Sequence, residues 1–137
     1  MNDSLGNMLS KIRNASLIKH EILTIPYTLN DFLILKVLEE EGFIEFIQII
    51  AKKSNRSKKN YKFIKLHLKY RKHTRKPFIT NIFRLSKPSL RVYVNHKNIP
   101  LILNGLGLII LSTSKGIMTS KDAHKFGIGG ELLFSIW

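Results

Sequence analysis

The chain has 137 residues, 44% of them hydrophobic, a formal net charge of +14 and no cysteine. That hydrophobic content supports a real core and excludes wholesale disorder, and the length suits one compact domain or two small subdomains. The missing cysteines exclude a disulfide framework and any thiolate metal site, while so large a positive charge points to a polyanionic partner.

Leu5, Met8, Leu9, Ile12 and Ile18 recur at helical spacing, which predicts an amphipathic helix from residue 3 to about 19. Glu21 to Ile25 reads as a short strand ended by Pro26, which cannot donate to a central ladder. Thr28, or Asn30, can cap a second helix running to Glu41, with Gly42 as its C-terminal stop. Phe43 to Ile50 is a predicted strand, followed by a cationic connection from Lys52 to Asn60. From Lys62 to Tyr70 the alternation is strict: Ile64, Leu66, Leu68 and Tyr70 fall on one face, Phe63, Lys65, His67 and Lys69 on the other.

The first subdomain is thus α-β-α-β-β, and Arg71 to Pro77 reads as the boundary, giving subdomains 1–75 and 76–137. In the second, Ile79 to Leu85 is a predicted strand, Ser86-Lys87-Pro88-Ser89 a turn, and Leu90 to Val94 a second strand. That strand puts Arg91 and Tyr93 opposite Leu90, Val92 and Val94. An apolar strand spans Leu106 to Leu111, a short helix begins at Thr119 with Asp122 as its capping-box partner, and Glu131 to Trp137 is a terminal strand. The fold class is α+β, with a C-terminal half of mostly antiparallel strands and one short helix.

Charge is unevenly spread. Residues 1–45 hold four Lys/Arg against seven Asp/Glu, whereas residues 46–137 hold nineteen against two, Asp122 and Glu131. A solvated surface normally mixes both signs, so the acid-free run from 46 to 121 points to a phosphate-rich partner. The competing explanation is the compositional bias of an AT-rich genome, consistent with 17 Lys, 19 Ile and 10 Asn. The start lacks the cationic and apolar regions of a secretory signal, and Asp3 argues against a transit peptide. The longest apolar run, Leu101 to Leu111, covers eleven residues and is too short to span a bilayer, so no membrane partner is expected.

The segment with the most recognition chemistry is Ser112-Thr113-Ser114-Lys115-Gly116. Three hydroxyls, a cation and a glycine offer hydrogen-bond donors on a backbone that can approach a ligand closely. It also fits an ordinary strand-to-helix loop whose hydroxyls cap backbone groups. Its neighbours favour RNA: Arg91 and Tyr93 add a cation and a stacking ring, and Lys115, Lys121 and Lys125 add phosphate contacts. Tyr93 fits equally a core residue with a wet hydroxyl.

Other chemistries find less support. Gly105-x-Gly107 lacks the third glycine of a dinucleotide fingerprint and precedes its strand. The five histidines, His20, His67, His73, His96 and His124, show no metal-ligand spacing. Ser112 or Ser114 with His124 and Asp122 lacks a nucleophile elbow. The expectation is no enzyme, no metal, no cofactor and no small-molecule substrate. The alternatives kept are a basic scaffold or chaperone-like protein binding acidic partners, and a ribonuclease.

Several segments, in order and at matching separation, give the chain a family resemblance. They are Asn7-Met8-Leu9-Ser10-Lys11-Ile12-Arg13-Asn14, Val37-Leu38-Glu39-Glu40-Glu41-Gly42-Phe43-Ile44, Ser86-Lys87-Pro88-Ser89-Leu90-Arg91-Val92-Tyr93 and Gly105-Leu106-Gly107. The most specific is Ser112-Thr113-Ser114-Lys115-Gly116-Ile117-Met118-Thr119 followed by Gly127-x-Gly129-Gly130-Glu131. Over nearly its whole length the chain resembles the bacterial-type small-subunit ribosomal protein number eight. The resemblance implies a structural constituent of the small ribosomal subunit, with no catalysis. It would bind the central domain of small-subunit ribosomal RNA, help assemble the platform and lie beside neighbouring small-subunit proteins.

On that resemblance the principal RNA contact falls on Ser112, Thr113, Ser114, Lys115, Gly116, Tyr93 and Gly129-Gly130-Glu131, with Arg91, Lys87, Pro88 and Ser89 beside it. A second contact falls on the N-terminal helix at Ser10, Lys11 and Asn14. Two features depart from the pattern. Pro88-Ser89 stands where the family usually has Pro-Gly, so the turn cannot rely on glycine's free φ. The lysine-rich 52–60 loop is longer and more basic, and either reaches extra RNA or only thickens the ionic atmosphere. A ribosome in the plastid stroma fits the composition, with the cytoplasm of an AT-rich bacterium as the alternative.

Overall fold

A computed structural model describes residues 3–53, 56, 60–99 and 107–137. The chain divides into two compact units, Met1–Phe78 and Ile79–Trp137. Most of the lysine-rich loop and Gly105-Leu106 lie outside the described residues.

In the first unit, α1 (Ser4–Leu17) begins at Asp3, whose carboxylate accepts from the Gly6 amide at 3.2 Å. Its buried stripe is Met8, Leu9, Ile12 and Ala15. Ile18 lies past the helix as its C-cap and is 64% exposed, because Lys19 at φ +58 turns the chain away before another helical turn can form. Strand β1 (Ile22–Pro26) leads to α2 (Leu29–Glu40), capped by Thr28, and Gly42 at φ +86 reverses the chain after it. Strands β2 (Ile44–Lys53) and β3 (Asn60–Leu68) complete an antiparallel sheet in the order β1-β3-β2. Pro26 closes an edge strand, where no ladder partner needs its missing N–H, and β2 carries a bulge between Ile44 and Phe46.

One sheet face gives Ile25, Ile64, Leu66 and Leu68 to the core with Ile34, Leu35 and Leu38 of α2. Tyr70 continues the same face, and its hydroxyl donates to the carbonyls of His20 and, at 3.4 Å, Ala15. Burial, and secondarily the charge of Glu21, raises its pKa. The other face is not simply basic: Phe46 stacks on His67, and Lys52 and Lys69 lie over the rings of Phe63 and Phe78. The stretch Arg71–Pro77 belongs to this unit, tied back by the Tyr70–Pro77 bridge.

The second unit holds a five-stranded antiparallel sheet. The two strands predicted at 79–85 and 90–94 shrink to β4 (Ile82–Arg84) and β5 (Tyr93–Val94). Both pair with β8 (Gly130–Ile136), so they form one interrupted strand with the 86–90 turn as an excursion. Ser86 closes that excursion: its buried hydroxyl accepts from the Val92 amide at 2.9 Å. Leu90, assigned by alternation to the apolar face, sits on the turn and is 66% exposed. Strand β6 (Leu108–Thr113) is central, and β7 (Gly116–Thr119) pairs along it. The short α3 (Ser120–Phe126) is capped by the Thr119 hydroxyl, which accepts from the Asp122 amide at 3.2 Å, and Gly127 at φ +67 ends it. Ile109, Leu111, Met118, Ala123 and Leu132 form one buried cluster, with Val92, Val94 and Ile128 packed against it, and Ile110, Phe134 and Ile136 are fully buried as well.

Asp31 is the first unit's buried charged residue, 4% exposed, and one of its carboxylate oxygens has no hydrogen-bond partner among the described residues. Burial pushes its pKa up; a hydrogen bond with Thr28 opposes this, and the charge of Asp3 adds to it. A carboxyl raised in the folded state costs stability as pH climbs from its unfolded value through its folded one, and costs nothing below both. Asp31→Asn should therefore raise Tm at neutral pH by roughly 2–4 °C more than at about pH 3, measured by circular dichroism. An equal shift at both pH values would show that the carboxylate carries no such penalty.

Candidate nucleic-acid interface

Ser112–Gly116 is the tip of a hairpin. Ser112 and Thr113 end β6, Ser114 and Lys115 form a two-residue turn, and Gly116 opens β7. Strand β7 escaped the sequence reading because Gly116-Ile117-Met118-Thr119 is four residues long with a single fully apolar pair. Among the described residues neither Ser114 nor Lys115 has a positive φ; that strain falls on Gly116 at φ +109, where only glycine is comfortable. The Thr113 hydroxyl locks the tip, donating to the Gly116 carbonyl at 2.8 Å and accepting from the Lys115 amide at 3.2 Å. Thr113 thus shapes the turn, while the hydroxyls of Ser112 and Ser114 have no hydrogen-bond partner among the described residues.

Antiparallel registry carries this tip into line with β8 and β5. Tyr93 lies opposite Glu131, Glu131 opposite Ser112, and Ser112 opposite Ile117. Residues directly opposite in such a ladder project from the same face, so Tyr93, Glu131 and Ser112 form a row across the sheet. Tyr93 is 69% exposed, which decides between a core ring and a presented one in favour of the latter. Arg91 joins this row: its Nη1 donates to Glu131 Oε1 at 2.9 Å. Glu131 is thereby neutralised next to the ring and holds the guanidinium in place, so an anion approaching Tyr93 meets no free carboxylate there.

Gly129 and Gly130 explain how the row closes up. A Cβ on Gly129 would stand 2.2 Å from the Val94 carbonyl oxygen, and one on Gly130 would stand 2.2 Å from that of Ser112. The two glycines let β8 run flush between β5 and β6, and Gly130 is in register with both Val94 and Thr113. Lys115 Nζ lies 5.6 Å from the centre of the Phe126 ring at the end of α3, a contact no sequence signal announced. Lys121 and Lys125 are exposed on the same helix.

Lys87, Pro88 and Ser89 form a closed turn in which Lys87 and Leu90 exchange backbone hydrogen bonds of 2.8 and 3.0 Å. Pro88-Ser89 makes that turn with no positive φ at Ser89, so glycine is dispensable there. Ser10, Lys11 and Asn14 are exposed on α1 of the first unit. With Asn7, Thr28 and Asp31 they line a cleft of about 290 Å³. Among the described residues no group of three His, Asp or Glu could hold a metal ion, and no helix is long and apolar enough to cross a membrane.

The profile of the family described as Ribosomal protein S8 matches residues 3–137. The chain is 66% identical over 137 residues, covering all of both chains, to "Small ribosomal subunit protein uS8c" of Bigelowiella natans. It is 48% identical over 135 residues, 98% of each chain, to the protein of that name in Thalassiosira pseudonana, and 44% identical over 137 residues to that of Gracilaria tenuistipitata var. liui.

Gly130→Ala should lower stability by on the order of 2–4 kcal/mol, since the new methyl meets backbone that cannot yield. Gly127→Ala, at φ +67 with open space around it, should cost only about 1 kcal/mol. Urea unfolding of both variants checks this, and equal losses would mean that the close strand approach is not what requires glycine at 130.

Proposed function

The chain belongs to the ribosomal protein S8 family, a structural component of the small ribosomal subunit and not an enzyme, and from that premise we propose how it holds RNA. Its relatives of the uS8c type put it in the plastid ribosome. In our reading the Ile79–Trp137 unit is the principal binding element, directed at the central domain of small-subunit ribosomal RNA, where it helps assemble the platform beside neighbouring small-subunit proteins. The observation that carries this is the row Tyr93–Glu131–Ser112 ending at a hairpin tip whose Ser114 and Lys115 are exposed.

Each part has a task. Lys115, Lys87, Lys121 and Lys125 displace counterions from phosphates and supply affinity without sequence preference. The free hydroxyls of Ser112 and Ser114 read 2′-hydroxyls and base edges. Regular A-form RNA keeps its base edges in a deep, narrow groove, so the target is an irregular helix with an internal loop or bulge. Tyr93 packs on a sugar or an unstacked base, and the Arg91–Glu131 pair fixes the position of that ring's neighbour. Thr113, Gly116, Gly129 and Gly130 act through backbone shape. Ser10, Lys11 and Asn14 of α1 make the second contact.

Tyr93→Ala combined with Ser114→Ala should weaken binding to a central-domain helix by about tenfold, ~1.4 kcal/mol, and to random duplex by less than about twofold, in filter-binding titrations. Equal losses on both RNAs would remove these side chains from specificity. Lys115→Gln should reduce the slope of log affinity against log salt by roughly one while leaving selectivity intact. A collapse of selectivity in that variant would mean that Lys115 reads bases.

A further inference from the structure

The first unit carries a cleft that the hairpin reading does not use. It measures about 430 Å³ and opens beside the bulged start of β2, at the end of the outer sheet row Ile22–His67–Phe46. Phe46 and His67 are stacked there, centroids 3.8 Å apart and planes inclined by 17°. Phe46 remains 41% exposed although His67 covers one of its faces. His67 Nε2 is shielded from solvent with no hydrogen-bond partner among the described residues.

The charged part of the remaining wall is mostly cationic: Lys19, Arg71, Lys72 and Arg75, against the two acids Glu21 and Glu45. Arg75 pairs with Glu21 at 3.3 Å, which leaves Lys19, Arg71 and Lys72 facing Glu45 alone. Arg75 is held at φ +53 in a turn whose backbone bonds run from the Arg75 amide to the Arg71 carbonyl and from the Arg71 amide to the Lys76 carbonyl. The turn therefore presents its cations from a fixed backbone.

We propose that this cleft takes an unstacked nucleotide of a single RNA strand. The base extends the Phe46–His67 stack, and the phosphate lies among Lys19, Arg71 and Lys72. A flat ring pair next to clustered cations is the pairing that single-stranded nucleic acid selects, because every base has a face to stack and every link a phosphate. An acidic peptide would use the cations but leave the ring stack without a planar partner. All the groups involved belong to Met1–Phe78, so the inference stands independently of the hairpin site.

The test is fluorescence anisotropy of the full chain with a labelled oligoadenylate of about ten nucleotides. Phe46→Ala and His67→Ala should each weaken decamer binding by roughly tenfold and leave binding to the central-domain helix within about twofold. Tyr93→Ala with Ser114→Ala should do the reverse. Phe46→Leu, which keeps apolar bulk and removes the ring, should match Phe46→Ala in binding while melting like the parent, separating lost stacking from lost folding. Unchanged decamer affinity in Phe46→Leu and His67→Ala would overturn the proposal, as would loss of decamer binding in the hairpin double variant. So would displacement of the decamer by polyglutamate binding that itself depends on Phe46, since that would identify an acidic protein as the occupant.

Discussion

Strand β8 passes between β5 and β6 so closely that two successive residues have no room for a side chain. Gly129 faces the Val94 carbonyl and Gly130 that of Ser112, each at a distance a methyl group would violate. The exposed row at this end of the second unit's sheet follows from this fit. It sets the register that aligns Tyr93 with Glu131 and Glu131 with Ser112, and it brings Arg91 within 2.9 Å of the Glu131 carboxylate. Backbone that cannot slide holds the ring, the cation and the hydroxyl at fixed spacing. For the RNA contact proposed above, that rigidity would leave little conformational freedom to be lost on binding.

The same geometry distributes labour among residues that look alike in sequence. Ser112, Thr113 and Ser114 are three adjacent hydroxyls, yet the middle one is consumed by the turn it shapes. Glu131, one of the two acids in residues 46–137, anchors an arginine. Lys115 rests over Phe126, so its ammonium is held near the helix end.

Much of this was legible in the chain. The α+β class, the strict alternation from Lys62 to Tyr70, the caps at Thr28 and Thr119 and the glycine stops at 42 and 127 all rest on local physics that one sequence displays. Strand β7 was invisible because four residues beginning with glycine carry too little periodicity, and it changed a supposed strand-to-helix loop into a hairpin tip. Leu90 misled because alternation does not reveal that a turn has lifted a segment off its sheet. The Phe46–His67 stack and the Lys115–Phe126 contact join residues 21 and 11 positions apart, and only the folded registry puts them together.

The borders of the first unit's sheet have a consequence for a chain that has not yet met its RNA. Among the described residues β1 and β2 are the border strands of that sheet, and a sheet border invites edge-on polymerisation. Pro26 removes a donor at one border; at the other the Glu45 bulge twists the opening residues and Lys52 and Lys53 load the far end with like charge. A second copy offering its own border meets a missing hydrogen bond, a kink or electrostatic repulsion. Those features favour a freshly made subunit staying dispersed during the interval before assembly, when no nucleic acid is present to neutralise it.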